Sequence, residues 1–283
     1  YFVYAKDGYL FYYSMDQYEG RRVLDESYRR VGPGRVENAQ WSGQGNLFIL
    51  RDRSLYRILP AEFFAQALYA GVVSVGTMVG KIPFAYDPNF DSFWVSPDGR
   101  KILLSKEGRN LFLYYLEPDD YGKADRVAAL PYLYLQGNTV VLDVLWPESA
   151  ELTIFTTSLR NGQRVSGVYR ISAPETPADL SLSQSFRELD ASGAVSVKLS
   201  PNGRLVALCG DRGVVVRSYS DWSPVATVDA PGTLHALWVS DDRLILAGTK
   251  SIELASLDGS ERKLIALSQA DRYGWSTEEP GAV

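Results

Sequence analysis

Among the 283 residues of this chain, the side chains whose types and spacing could do chemistry are few. Five carboxylates, Asp87, Asp91, Asp190, Asp229 and Asp271, fall in turn-rich connections between apolar strands. Two such acids facing one cleft would support glycoside cleavage, one protonating the leaving oxygen while the other acts as base or nucleophile. The plainer reading of acids in such connections is that they are solvated turn residues. His235, the single histidine, could serve as the base of a serine relay. It sits within Gly232-Thr-Leu-His-Ala-Leu-Trp-Val239, a segment that reads as a strand, so a satisfied buried or channel-lining ring is expected. Cys209, the single cysteine, ends another apolar strand with no histidine nearby in sequence, and reads as a structural thiol.

Other chemistries lack their residues. There is no G-x-S-x-G nucleophile elbow, no G-x-x-x-x-G-K-[ST] phosphate loop and no G-x-G-x-x-G dinucleotide turn. One cysteine and one histidine leave no disulfide framework and no Cys/His zinc site. Neither Asp87-Pro-Asn-Phe-Asp91 nor Pro118-Asp-Asp120 has the spacing of a calcium loop. No cofactor is expected. The net charge of −5 provides no basic field that would collect nucleic acid, which is not expected as a partner. No run approaches the roughly 20 apolar residues that span a bilayer, so no transmembrane segment is expected. The chain opens on Tyr1-Phe-Val-Tyr4 and not on Met, which suggests a trimmed or processed chain.

The elements that must position these residues are announced by a repeat. A strand ending in a large apolar residue is followed by Ser or Pro, a polar turn and a second apolar strand. The clearest copies are Trp94-Val-Ser-Pro-Asp-Gly-Arg-Lys-Ile-Leu-Leu104 and Lys198-Leu-Ser-Pro-Asn-Gly-Arg-Leu-Val-Ala-Leu208. Asp-Gly and Asn-Gly favour tight hairpins because both tolerate the positive φ that such turns demand. Weaker copies begin at Trp41, Trp146 and Trp238, and a truncated one at Trp275. Anchored on the apolar residue before the Ser or Pro, the copies lie 36 to 54 residues apart, the period of four-stranded propeller blades. A second short hairpin follows each phrase, and fourth strands are expected at Val127 to Leu133, Val225 to Val228 and Lys263 to Leu267.

The expected fold is therefore all-β, a single β-propeller domain over residues 1–283 with six four-stranded blades. Tyr273-Gly-Trp-Ser276 reads as the first strand of a blade whose others, Phe2 to Ala5, Tyr9 to Tyr13 and Arg21 to Leu24, stand at the opposite terminus. Joining the two ends regenerates the repeat phrase and would leave no open seam. The stretch from Pro60 to Ser92 departs most from the repeat. A short helical insertion is expected at 60–70, with Pro60 at its first position, and Phe63, Phe64 and Leu68 are expected to pack on the rim. If that stretch hides a degenerate blade, the count becomes seven.

Connectivity sorts the loops of such meanders into two faces, and the charges with them. Turns joining the second strand to the third, and one sheet to the next, form a face that is net basic, and the remaining turns form a net acidic one. The basic face includes Arg29, Arg30, Arg35, Arg51, Arg53, Lys106, Arg109, Arg160, Arg164, Arg212 and Lys250. From Arg51 onward these eight are the candidate ligand-binding residues, since arginine's planar fork suits carboxylate or phosphate. Thr157 to Val165, holding Arg160 and Arg164, reads as the longest loop of that face and its best single candidate.

The Ser-Pro-Asp-Gly-Arg phrase at Ser96 to Arg100, with its echo at Ser200 to Arg204, resembles the WD-like repeat of TolB-type propellers. The likeness covers the repeat frame over most of the chain, with two copies matching well. It implies non-enzymatic protein binding in the bacterial envelope, with a periplasmic or envelope-associated location preferred over a cytoplasmic one. A protein partner or anionic ligand on the basic face, in a larger bacterial assembly, is the leading expectation. The alternative is a glycoside hydrolase or lyase using the five acids near the central channel.

Overall fold

The structure is a computed structural model that describes residues 2–6, 9–13, 30–31, 36–69, 76–82, 84–116, 128–135, 137–176, 184–189, 193–210, 212–248 and 250–267. Among these, the regular elements are antiparallel strands and one helix, α1 (Pro60–Tyr69). The chain divides into two compact units, the first built chiefly on Tyr1–Tyr134 and the second on Leu135–Pro174 and Leu180–Trp275.

The first unit opens with a three-stranded meander of β1 (Phe2–Lys6), β2 (Tyr9–Tyr13) and β3 (Arg30–Val31). Two four-stranded meanders follow. One comprises β4 (Asn38–Trp41), β5 (Leu47–Arg51), β6 (Ser54–Ile58) and β7 (Thr77–Lys81). The other comprises β8 (Ser92–Val95), β9 (Lys101–Lys106), β10 (Asn110–Tyr115) and β11 (Ala128–Tyr134). The second unit holds three more. These are β12 (Val140–Glu148) through β13 (Glu151–Arg160) and β14 (Gln163–Ser172) to β15 (Gln184–Leu189); β16 (Ser196–Leu199) through β17 (Leu205–Gly210) and β18 (Gly213–Ser218) to β19 (Pro224–Asp229); and β20 (Thr233–Ser240) through β21 (Arg243–Gly248) and β22 (Ser251–Ser256) to β23 (Arg262–Leu267).

The repeat anchors Trp41, Val95, Trp146, Leu199 and Val239 all lie on the first strand of a sheet. The fourth strands expected in three of these sheets are β11, β19 and β23. Of the stretch from 60 to 92, the described part holds α1 and then β7, the fourth strand of its own sheet. The strands expected at 21–24 and 273–276 lie outside the described residues, and the segment that pairs with β2 is Arg30–Val31. Arg30 is thus a strand residue and not part of a loop.

The repeat phrase works as a turn closed by its own side chains. Ser96 Oγ donates to Asp98 Oδ1 at 2.5 Å and accepts from Lys101 N at 2.9 Å, while Asp98 Oδ1 also accepts from Arg100 N at 3.0 Å. Ser200 and Asn202 repeat the scheme, with Ser200 Oγ to Asn202 Oδ1 at 2.8 Å and Leu205 N to Ser200 Oγ at 2.9 Å. An Asx oxygen that accepts from a backbone N–H two residues on fixes the turn without help from the rest of the sheet. The same device recurs between third and fourth strands at Ser256-Leu-Asp-Gly-Ser260. There the Ser256 hydroxyl, foremost among several hydrogen bonds, holds the Asp258 carboxyl down at about 2.

Why the sheets stack follows from their second strands, which are apolar on both faces. In β5, Leu47 and Ile49 point into one core with Ile58 and Phe63 of α1. Phe48 and Leu50 point the other way, into a core shared with Phe93, Ile102, Leu104 and Tyr114 of the next sheet. β17 does the same in the second unit. Val206 and Leu208 pack with Phe155, Val168 and Trp222, whereas Ala207 and Cys209 pack with Ala236, Leu244 and Leu246. A strand that alternates between two cores reads as a continuous apolar run; β17 ties three sheets face to face, and β5 joins its sheet to the next on one side and to α1 on the other. In α1, Phe63 is fully buried edge-on to Trp41, 5.2 Å between ring centroids, while Phe64 stays exposed.

Candidate binding site

The eight basic residues part into two groups. Four are engaged. Arg51 contacts Asp52 at 3.5 Å, Arg53 Nε donates to the Ile82 carbonyl at 3.2 Å, and Arg160 pairs with Glu188 at 2.8 Å. Lys106 Nζ donates to Asp91 Oδ2 at 2.7 Å and to the Ala85 carbonyl at 3.1 Å, over the Phe84 ring. Arg109, Arg164, Arg212 and Lys250 are exposed, and none of their side chains makes a hydrogen bond or ion pair with the described residues. Arg29 and Arg35 lie outside the described residues.

The expected long loop at Thr157 to Val165 is instead the tip of the longest hairpin, and this is a correction. β13 and β14 pair without a break from Glu151↔Ser172 to Arg160↔Gln163. The turn has two residues, Asn161 at φ 51° and Gly162 at φ 78°, positive at both positions as two-residue hairpins prefer. Ordinary strands then follow at Arg160 and Arg164. Directly paired residues share a face and neighbours alternate, so Leu159↔Arg164 and Arg160↔Gln163 lie on opposite faces of the sheet. The two arginines cannot act as one cluster.

Arg164 instead faces a crevice of about 370 Å³ in the second unit. One wall is β12 and its approach, with Asn138 and Leu142; another is the hairpin tip, with Thr157 and Leu159; Val195, from the connection between β15 and β16, completes it. Among the described residues its lining includes one cation and no carboxylate. Thr157 Oγ1 is buried and has no hydrogen-bond partner among the described residues. A second crevice of about 350 Å³, between Pro231 and Lys250, also holds Arg262. That guanidinium is committed to Glu253 at 2.6 Å and to the Asp229 carbonyl at 2.7 Å. Its own carboxylate makes this second crevice the poorer anion site.

The candidate acids do not assemble a catalytic pair among the described residues. Asp91 is fully buried, pairing with Lys106 and accepting from Asp87 N at 2.9 Å and Glu107 N at 2.8 Å. Asp87 is turned to its own loop, accepting from Asn89 N at 3.0 Å. Tyr86 completes the pin. Its hydroxyl donates to the Asp91 carbonyl at 2.8 Å and accepts from Asn38 Nδ2 at 2.7 Å, and burial raises it to about 12. Asp229 is the last residue of β19, and Asp190 and Asp271 lie outside the described residues.

His235 is half-buried on β20, and burial, with Lys198 adding to it, lowers its imidazole below the ordinary range. It makes no hydrogen bond to a serine or an acid among the described residues. Cys209 is fully buried, and burial pushes its thiol up to about 12. A thiol held neutral there packs as a small apolar side chain.

No family model and no curated protein matches this sequence. Among solved structures, the chain is similar to a dihydro-heme d1 dehydrogenase, NirN, in complex with DHE, at 15% identity and a TM-score of 0.49, over 94% of this chain and 52% of that one. It is also similar to the WD40 domain of SCAP from fission yeast, at 12% identity and a TM-score of 0.43, over 82% and 51%. Hsv2 of Kluyveromyces lactis aligns at 10% identity and a TM-score of 0.40, over 78% and 73%. The chain thus spans about half the length of the first two. The phrases at Ser96 to Arg100 and Ser200 to Arg204 resemble a WD-like repeat.

Proposed function

We propose that the chain is a non-catalytic binding propeller that presents its basic loops to a protein partner or anionic ligand within a larger bacterial assembly. The observation that supports this best is the contrast between its two kinds of charged residue. Asp91 is spent on holding its own loop, whereas Arg164 stands on a concave wall with no counter-charge among the described residues. Its envelope location follows the TolB-type resemblance. The test is capture of partners from native extract, with a variant carrying Arg109→Glu, Arg164→Glu, Arg212→Glu and Lys250→Glu run alongside. The expected result is loss of specific partners at unchanged melting temperature. An unchanged partner set would overturn it, as would turnover of any member of a glycan library by the native chain.

We propose further that the domain is one ring of six blades closed by its own ends. The face of the last sheet turned away from β16–β19 is apolar, with Leu237 52% and Val239 54% exposed and Ile245, Ile252 and Leu254 half-buried. A face of that kind is normally covered, and among the described residues the β1–β3 meander has three strands where each other sheet has four. Deleting residues 268–283 should then lower the melting temperature by about 10 °C or more and induce dye binding to exposed apolar surface. A deletion variant that melts like the full chain would count against closure.

A further inference from the structure

We infer that the Arg164 crevice takes a peptide carboxylate that lies beside an aliphatic side chain. This rests on the binding reading above and gives it a ligand class. Three observations specify the chemistry. Among the described residues the crevice lining includes one cation, Arg164, and no acid, so an anion meets attraction there without a competing carboxylate from them. Leu142, Leu159 and Val195 leave apolar surface next to that cation, Leu159 being 55% exposed. Thr157 Oγ1 is buried on the same wall with no partner among the described residues, and a buried hydroxyl of this kind is normally satisfied. Asn138 adds an amide at the opposite wall.

Arginine's fork matches a carboxylate with two parallel N–H···O bonds, and a volume near 370 Å³ is that of a small-ligand pocket. The hairpin register makes the arrangement. Thr157, Leu159 and Arg164 share one face because Leu159 and Arg164 are directly paired and Thr157 is two residues from Leu159. A fully hydrophilic anion would leave the aliphatic wall uncovered, and a neutral apolar ligand would leave Arg164 without a counter-charge.

The test follows amide chemical shifts of the full chain during titration with N-acetyl-leucine, N-acetyl-leucinamide and N-acetyl-Leu-Glu-amide. N-acetyl-leucine carries a terminal carboxylate, its amide carries none, and the third probe carries only a side-chain carboxylate. Saturable shifts at residues 138–142, 157–164 and 194–195 are expected with one or both acids and not with leucinamide. Which acid binds identifies the partner's group as a chain terminus or an acidic side chain. Arg164→Gln should weaken that binding roughly tenfold or more, and Thr157→Val severalfold, with unchanged melting temperature in both. Equal shifts from leucinamide, retention of binding by Arg164→Gln, or no saturable shift with either acid would each overturn the inference. If the captured partners are still lost from the four-site variant while both acids fail to bind, the crevice proposal falls and the binding reading stands.

Discussion

Replacing Gly213 by alanine should destabilise the second unit by about 3–5 kcal/mol, the sum of backbone strain and forced overpacking. Gly213 opens β18 at φ 124°, a conformation that L side chains rarely adopt. A Cβ built there would lie 2.3 Å from the Val228 carbonyl oxygen and 2.6 Å from Ala230 N. Both are backbone atoms of the neighbouring strand and its exit, so no side chain can swing aside to relieve the contact. Relief requires β18 and β19 to part near Gly213↔Asp229, where their ladder begins. A loss of that size is a large share of the 5–15 kcal/mol that typically holds a domain folded. Cys209 reports it directly. The thiol is buried on the adjoining strand and held neutral at ordinary pH, so it should resist alkylation in the native chain and react in the variant at a denaturant concentration where the parent is inert. Equal denaturation midpoints for the two proteins would show that the sheet accommodates the methyl group.

Asp91→Ala should have an effect of similar size in the first unit, a loss of about 3–5 kcal/mol, because removing one partner of a buried ion pair strands the groups it satisfied. The Asp87 and Glu107 N–H groups lose their acceptor, and Lys106 loses its counter-charge at 2.7 Å. A fall in melting temperature of about 10 °C is expected from calorimetry. Asp91→Asn should fall between parent and alanine variant, since an amide oxygen can still accept from one N–H. The comparison separates a structural acid from a catalytic one. If either substitution left the melting curve unchanged, the carboxylate would not be holding this connection, and the case against the acids as a catalytic set would weaken.

Local features of the fold were legible in the sequence, and features that depend on register or long-range pairing were not. Ser96-Pro-Asp-Gly-Arg100 announces its turn because every hydrogen bond that closes it runs between residues at most five apart. Trp41, Val95, Trp146, Leu199 and Val239 likewise mark first strands through an apolar residue set before a turn. The 157–165 segment reads as a loop because of its polar side chains, although Asn161-Gly162 is itself a hairpin signal. Its strands run on by their own pairing, Ser158↔Val165 to Arg160↔Gln163, since among the described residues β12 pairs no further than Thr157 and β15 only from Ser166. The commitment of Lys106 to Asp91 spans 15 residues and a change of strand, so nothing local distinguishes Lys106 from the unpaired Arg109. Arg164 could be nominated by type, but its crevice arises only once the register places it on the face shared with Thr157 and Leu159.

The self-closing turns also bear on how the chain reaches its structure. A hairpin sealed by a serine hydroxyl and an Asx carboxylate or amide five residues or fewer apart gives up little chain entropy on closing, so such hairpins can form early and independently at several points. What must wait is the meeting of sheets whose apolar faces come from distant residues, as when Val206 and Leu208 find Phe155 and Val168. Refolding of this chain should therefore be limited by the docking of preformed hairpins, the non-local step that slows β-rich topologies. Altering Ser96 or Ser200 would then change the supply of hairpins more than the pace of assembly.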